Sequence, residues 1–512
     1  MSLDPRTHTI DGVLHRSAAK VPGRTALTFE GRAYTYRELD AAVTRAAAHL
    51  LDLGLAAGDR VAAYGTNSDA YVIGFLACAR AGLVHVPVNY ALKGGELSYL
   101  VSQSGARAVL ADPALIGTLD QVRGELTAVD HVVPLRDADG SLREVADTAD
   151  EVSDFSSRAS ATDLAQLLYT SGTTSKPKGA MMTHEALVFE YVSSVIALDL
   201  RADDNPLVAM PLYHSAGMHV FMLPYLAVGA TVHLMATPDI PEILRRVEQD
   251  RIGSLFLAPT VWVPLSNHPD LDRRDLSSLR KAQYGASIMP VTVLNRLRER
   301  YPDLGFYNCF GQSEIGPLAT VLRPEEHAER PSSCGRPVFF VETRVVDPDG
   351  NDAGPGEPGE VLYRSPQLCR GYWDNPEATA EAFRDGWFHS GDLVTRDADG
   401  YITVVDRIRD VINTGGILVA SREVEDALYT HPAVAEVAVV GTPDEKWIEA
   451  VTAVVVLHEG RETTADALIA HVKELIAPFK VPKNIRFAES LPRNQSGKLL
   501  KRELREPLTT AD

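Results

Sequence analysis

Apolar positions recur along this chain in two rhythms. Through the first two-thirds, short runs rich in Val, Ala and Leu alternate with longer runs in which apolar residues return every three or four positions. Residues 60–64, 83–88 and 108–110 read as strands, and residues 69–81 and 95–103 as helices. Strands separated by helices imply βαβ units, hence largely parallel sheets with helices outside. After Pro337 the pattern changes. Residues 338–346 lack Pro and Gly and are rich in Val and Phe, which predicts β structure. Turn-forming Asp347-Pro-Asp-Gly350 and the Gly/Pro-rich residues 354–359 then punctuate a smaller β-rich region. Beyond Asp410 the pattern predicts helices over 421–429 and 465–476 and strands over 434–441 and 451–457. That is a compact α+β unit of about a hundred residues, an ordinary domain size.

The expected fold is therefore α/β: a large N-terminal domain of parallel-rich sheets with flanking helices, a β-rich subdomain, and a small α+β C-terminal domain. A length of 512 residues exceeds what one core usually supports, which agrees with at least two domains. Residues 216–236 carry no Asp, Glu, Lys or Arg, yet His219, Pro224, Gly229 and His233 interrupt them, so a buried helix-turn-strand is expected rather than a membrane span.

A net charge of −19 argues against nucleic acid or anionic lipid as a partner, since both select basic surfaces. Cys78, Cys309, Cys334 and Cys369 are widely spaced and no histidine pair has metal-ligand spacing, so no zinc site or disulfide framework is expected. A reducing cytoplasm fits that cysteine usage, and Met-Ser-Leu-Asp-Pro does not open like a secretory signal. A homodimer is left open.

The strongest local signal is Leu168-Tyr-Thr-Ser-Gly-Thr-Thr-Ser-Lys-Pro-Lys-Gly-Ala180. A β-like entry leads into small hydroxyl and glycine residues closed by two lysines. Backbone N–H groups and hydroxyls in such a loop can surround phosphate oxygens while lysine adds a point charge. The Walker spacing is missing. Thr170, Ser171, Gly172, Thr173, Thr174 and Lys178 are the candidate phosphate-binding residues.

This string resembles that of the adenylate-forming superfamily, which comprises acyl-CoA synthetases, aryl-CoA ligases, luciferases and peptide synthetase adenylation domains. Further motifs follow in the family's order across nearly the whole chain. Pro211-Leu-Tyr-His214 resembles the segment beside the carboxylate pocket, and Tyr284-Gly-Ala-Ser287 the turn against adenine and acyl group. Phe310-Gly-Gln-Ser-Glu314 resembles the Tyr-Gly-x-Thr-Glu signature, with Asn308 just before it. Gly386-Trp-Phe-His-Ser-Gly-Asp392 and Asp406-Arg407 look like ribose-contacting segments. Asn494-Gln-Ser-Gly-Lys498 looks like the terminal catalytic-lysine motif. Residues 420–429 are similar to those of bacterial aryl- and fatty-acyl-CoA ligases.

The resemblance implies an AMP-forming acid–thiol ligase that uses ATP, Mg²⁺ and CoA. Its nucleotide site would include Gly285, Ala286, Ser287, Asn308, Phe310, Gly311, Gln312, Ser313, Asp392, Arg407, Gly415 and Gly416. Phe310 offers a face for adenine, and Glu314 a hard oxygen ligand for Mg²⁺ carrying ATP phosphates. Asp392 can accept from ribose hydroxyls, and Arg407 can donate to ribose or phosphate. Lys498 would lie between an attacking carboxylate and the α-phosphate, two anions whose repulsion grows toward the transition state. His214 resembles a gate between acyl and thiol channels, whereas His184 and His389 are read as local structure or pocket lining. Ala216, Gly217, Trp262, Gly285, Ala286 and Gly316 would line an acyl pocket with room for a bulky apolar acid: aromatic, long-chain or polycyclic. No cation is placed for a second carboxylate. Residues 1–408 would form the AMP- and acyl-binding domain. Residues 409–512 would form a C-terminal domain that rotates about a hinge near Arg409 between the two half-reactions.

Four positions depart from the family pattern. Ser175 stands where Gly is usual, Ile417 and Leu418 replace two polar residues in Thr414-Gly-Gly-Ile-Leu-Val419, and Ile448 replaces a glycine. These departures support a variant of the reaction in which the chain mainly transfers an acyl group from preformed acyl-AMP to CoA. The same motifs would also serve a stand-alone adenylation enzyme that loads a carrier protein, or a silent nucleotide sensor. Product formation with CoA against carrier protein distinguishes the carrier-loading enzyme, and turnover of any acid with ATP excludes the sensor.

Overall fold

The computed structural model describes residues 8–148, 157–170, 176–287, 289–414, 417–444, 447–493 and 499–505, with only the backbone at Arg409 and Ile417. Two sheets dominate. The first runs His131–Pro134, Ala106–Ala111, Arg60–Tyr64, Val84–Val88, Leu164–Thr170 and Lys178–Thr183. All its neighbours are parallel except the last pair. The second has nine strands, with a parallel centre from Gly305–Phe310 across to Thr25–Phe29 and antiparallel pairs at both edges.

Helix Asp69–Ala81 is buried at every residue. Between Asp69 and Arg80, which are both ion-paired, its sequence is apolar on all sides, as suits a helix enclosed by protein. Ser68 caps its start by accepting Tyr71 N–H, and Gly82 ends it in the left-handed conformation at φ 73°. The same core extends to Val394 and Ile402 of an antiparallel sheet built on Glu342–Val346, Pro358–Arg364, Trp387–Arg396 and Ile402–Arg407. That sheet corrects one expectation. Of residues 338–346, only Glu342–Val346 is strand. Val341 N–H closes a turn on the Val338 carbonyl at 3.0 Å, and Phe339 is left 66% exposed. High β propensity yielded there to chain reversal.

The uncharged stretch folds as two short helices, Ser215–His219 and Leu223–Ala227, followed by strand Val232–Leu234. No helix among the described residues is long and apolar enough to cross a membrane. From Ile412 onward the chain packs around its own apolar clusters, whose described members include no residue before 412. Strands Val434–Asp444 and Ile448–Leu457 form the centre of that unit, with helices Ser421–Tyr429 and Ala465–Lys473 packed against them.

Candidate active site

Strands of both large sheets end at this site, joined where Thr170 meets Glu314. Leu164–Thr170 carries Thr170 at its C-terminal end, Lys281–Gly285 carries Gly285, and Gly305–Phe310 carries Phe310. Ligands of open α/β sheets bind at such carboxyl ends. Backbone segments here approach so tightly that glycine is required at two points. A Cβ on Gly285 would lie 2.2 Å from the Cys309 carbonyl oxygen, and one on Gly311 would lie 2.0 Å from that of Pro317. Ala286, next after Gly285, holds φ 64° and is exposed together with Ser287.

Glu314 sits in the single turn Ser313–Ile315 that follows Phe310 and is 6% exposed. Its Oε1 accepts from two hydroxyls, Thr170 Oγ1 and Tyr372 Oη, each at 3.1 Å. Cys369 N–H donates to its carbonyl at 2.8 Å. Tyr372 also lies beneath Lys178, whose Nζ is 5.3 Å from the ring centroid, and bridges Ala180 on the neighbouring strand. Burial, with the Glu314 charge beside it, holds the Tyr372 phenol protonated, so it serves as a donor. Tyr372 is a site residue that no sequence motif singles out. The two tethers aim the carboxylate and engage one oxygen.

Asp392 is 2% exposed and pairs across the sheet with Arg407, whose Nε lies 2.7 Å from Oδ1. Gln312 Nε2 donates to Asp392 Oδ2 and to the Ser390 carbonyl, both at 3.3 Å. This brings Gln312, Asp392 and Arg407 into one cluster from three separate motifs. Asn308 Nδ2 is spent on the Ser333 carbonyl at 2.9 Å.

His214 is the N-cap residue of Ser215–His219 and is half-buried, with its ring 5.4 Å from that of Tyr213. Ser215 Oγ and Ser313 Oγ share a hydrogen bond of 2.9 Å, which ties that helix to the Phe310–Glu314 segment. Ala216 is half-buried on the same helix, and a Cβ on Gly217 would meet the Pro211 carbonyl oxygen at 2.6 Å. Gly316 abuts Glu190. Trp262 is buried, donates Nε1–H to the Gln283 carbonyl at 3.0 Å, and borders an apolar cavity of about 360 Å³ with Leu244, Leu255 and Leu297. His184 Nδ1 accepts Ile10 N–H at 3.4 Å across 174 residues of sequence, and His389 Nδ1 meets Glu360 and Arg384.

Strand Leu164–Thr170 is fixed from beneath by a neutral relay. Tyr191 Oη donates to His219 Nδ1 at 3.0 Å, His219 Nε2 to Gln166 Oε1 at 2.7 Å, and Gln166 Nε2 to His85 Nδ1 at 3.0 Å. Burial lowers the pKa of both histidines to about 3, with His85 adding to the effect at His219.

Ser171, Gly172, Thr173, Thr174, Ser175, Gly415, Gly416 and Lys498 lie outside the described residues, as does the side chain of Arg409. Arg409 belongs to the single turn Ile408–Asp410 that follows the strand of Arg407. Leu418 is 68% and Ile448 60% exposed, and Ile448 holds φ 67°.

The model of the AMP-binding enzyme family matches residues 14–373, and that of the AMP-binding enzyme C-terminal domain matches residues 423–498. Feruloyl-CoA synthase of an Amycolatopsis species is 40% identical over 491 residues, covering 96% of this chain and 97% of that protein. Indoleacetate–CoA ligase of Aromatoleum aromaticum is 33% identical over 96% of this chain and 97% of its own length. Among solved structures, the anthranilate CoA ligase AuaEII in complex with anthranoyl-AMP superposes with a TM-score of 0.90 at 27% identity, covering 97% and 96% of the two chains. With both models matched in order and relatives aligned end to end, this chain belongs to the AMP-binding enzyme family as an AMP-forming acid–thiol ligase.

Proposed function

We propose that the chain activates a bulky apolar, aromatic carboxylic acid as its acyl-AMP and then transfers the acyl group to CoA. In the first step a carboxylate oxygen bonds to the α-phosphorus of ATP and pyrophosphate leaves. In the second, the CoA thiolate bonds to the acyl carbon, and AMP leaves with the electron pair of the broken C–O bond.

The observation that carries this reading is the Glu314 tether. Thr170 and Tyr372, 202 residues apart in sequence, both donate to one carboxylate oxygen at the strand ends. A buried carboxylate held in that way fits a Mg²⁺ ligand beside ATP phosphates, where the ion would offset phosphate charge. Asp392, oriented by Arg407 and Gln312, is suited to accept from ribose hydroxyls. Lys178 would add positive charge near the phosphates, and Lys498 would stabilise the charge that builds as carboxylate meets α-phosphate. Ala216 and Ala286 carry short side chains beside the expected acyl position, while Gly217, Gly285 and Gly316 let neighbouring atoms pack closely there. The relatives named for feruloyl, indoleacetate and anthranilate groups support an aromatic acid.

One observation favours a second reading, in which the chain mainly esterifies the thiol from a supplied acyl-AMP. Ile448 adopts the left-handed backbone that the family's glycine would take freely, and Leu418 stands exposed where the family pattern has a polar residue. A panel of aromatic, fatty and dicarboxylic acids, read by both pyrophosphate release and acyl-CoA formation, separates these readings. Stoichiometric pyrophosphate and thioester from aromatic acids support the full reaction. Thioester from synthetic acyl-AMP alone supports the second. A rotating C-terminal unit further predicts that Arg409→Pro slows thiol transfer more than adenylate formation, and equal losses would remove the hinge.

A further inference from the structure

A lysine near the chain's end gathers the carboxylates on either side of the expected hinge. Lys501 opens helix Lys501–Arg505, and its side chain is 16% exposed. Its Nζ lies 2.8 Å from Glu425 Oε1 and donates to Ser421 Oγ at 2.5 Å. Ser421 in turn donates through both N–H and Oγ to Asp406 Oδ2, each at 2.7 Å. The other oxygen of Asp406 accepts from Arg407 N–H at 2.7 Å, and Arg407 Nε lies 2.7 Å from Asp392. A polar path thus runs without a break from Lys501 to the ribose-side carboxylate. It crosses from residues after 409 to residues before it.

The electrostatics favour a charged ammonium. Burial alone would lower the pKa of Lys501, but Glu425, Asp406 and Asp410 raise it. Arg505 neutralises Asp410 from the same helix at 2.7 Å. Glu425 Oε1 also accepts Val439 N–H at 2.8 Å, which fixes that carboxylate to strand Val434–Asp444 of the C-terminal unit. Removing one partner of a buried pair strands the other, so loss of the ammonium should loosen Ser421 and through it Asp406.

We propose that Lys501 is a positioning residue for adenylate formation: it latches the C-terminal unit to Asp406 and so steadies the Arg407–Asp392 pair during the first half-reaction. The proposal rests on the two-step reading above. ATP and acyl-AMP both carry the ribose that Asp392 meets, so the selectivity comes from the latch holding the C-terminal unit as the first half-reaction needs it; its loss should act on that step more than on the step that starts from acyl-AMP.

The test uses the full chain as wild type, Lys501→Met, Lys501→Arg and Ser421→Ala. Each is measured for acid-dependent ATP–pyrophosphate exchange and for thioester formation from synthetic acyl-AMP and CoA. Lys501→Met, which keeps most of the packing stem, should lower exchange by about tenfold or more, the scale of a lost charge-assisted hydrogen bond. Thioester formation should change much less, and Lys501→Arg should keep most of the exchange. Ser421→Ala, which leaves the charge pair intact, should lower exchange by a smaller factor and carries the test if Lys501→Met does not fold. Equal falls in both half-reactions, or unchanged exchange in the folded variants, would overturn the latch. Absent exchange in the wild type would instead overturn the two-step reading and the latch with it.

Discussion

Two residues with left-handed backbone mark two regions built on different terms. Ala286, at φ 64°, follows a glycine pressed against the Cys309 carbonyl and belongs to the rim where three strands end. Ile448, at φ 67°, is β-branched and 60% exposed at the start of the central strand of the C-terminal sheet, paired to Asp444 and Thr414. Such a conformation costs about 1–3 kcal/mol and persists only where the surroundings impose it. Ala286 is itself exposed, and the residue before it supplies the constraint: Gly285 is pressed against the Cys309 carbonyl. At Ile448 the constraint is strand pairing, to Asp444 on one side and Thr414 on the other, while the β-branched side chain faces solvent. The nucleotide side holds Glu314 by two hydroxyls, whereas the C-terminal sheet keeps an apolar, strained residue in solvent. That contrast fits a site whose first half-reaction is preorganised and whose second depends on a surface brought to it.

The largest expected effect lies at Lys498. Lys498→Ala should lower adenylate formation by about 10²–10³-fold, the usual loss for one transition-state donor. Thioester formation from supplied acyl-AMP should fall far less. Comparable losses in both would break the division between regions.

The next effect is on stability. His85 and His219 have folded pKa values of about 3 against an ordinary 6.5, so unfolded chain binds protons that the folded chain refuses. Stability is then complete above about pH 6.5 and declines as pH falls from there toward 3, by about 2 kcal/mol per histidine at pH 5. Denaturant unfolding at pH 7 and 5 measures the loss. His219→Gln, with a side chain that cannot charge, should flatten the slope, and an unchanged slope would dismiss the relay as its source.

Tyr372→Phe removes one of the two tethers of Glu314. It should slow adenylate formation by about tenfold, corresponding to roughly 1.5 kcal/mol for a hydrogen bond to a charged group. The Mg²⁺ requirement should rise while thiol transfer stays near wild type. Unchanged kinetics at limiting Mg²⁺ would leave Thr170 as the only tether that matters.

The smallest effect tests Ile448 itself. Ile448→Gly should raise stability by about 1 kcal/mol or less, because relief of strain is partly offset by the freedom glycine gains when unfolded. If thiol transfer also accelerates, the isoleucine restrains that step. If stability falls, Ile448 has a contact that its exposure hides.

Much of this was legible in the sequence because local signals and fold agreed. Residues 60–64, 69–81 and 421–429 form the elements that their periodicity predicts, with Ser68 and Gly82 punctuating the central helix. The strand-end positions of Thr170, Gly285 and Phe310 follow from motifs that break a β run with glycine and hydroxyl residues. What escaped was side-chain pairing across long separations. Nothing around Tyr372 in sequence points to Glu314, since the contact exists only because Ala180 and Tyr372 bridge. His219 reads as an interruption of an apolar stretch until Gln166 and Tyr191 are placed beside it. Asp406 reads as part of a ribose segment, yet both its oxygens are engaged, one by Ser421 and one by Arg407 N–H. Residues 338–341 show the opposite limit, where a β-prone run turns because the chain must reverse.

The central claim is that this one chain makes the acyl-adenylate it consumes. Isotope exchange between pyrophosphate and ATP, driven by an aromatic acid with Mg²⁺ and without any thiol, tests it most directly. Exchange should depend on the acid and collapse in Lys498→Ala. Robust thioester formation from synthetic acyl-AMP, with no acid-dependent exchange under any acid tried, would contradict it.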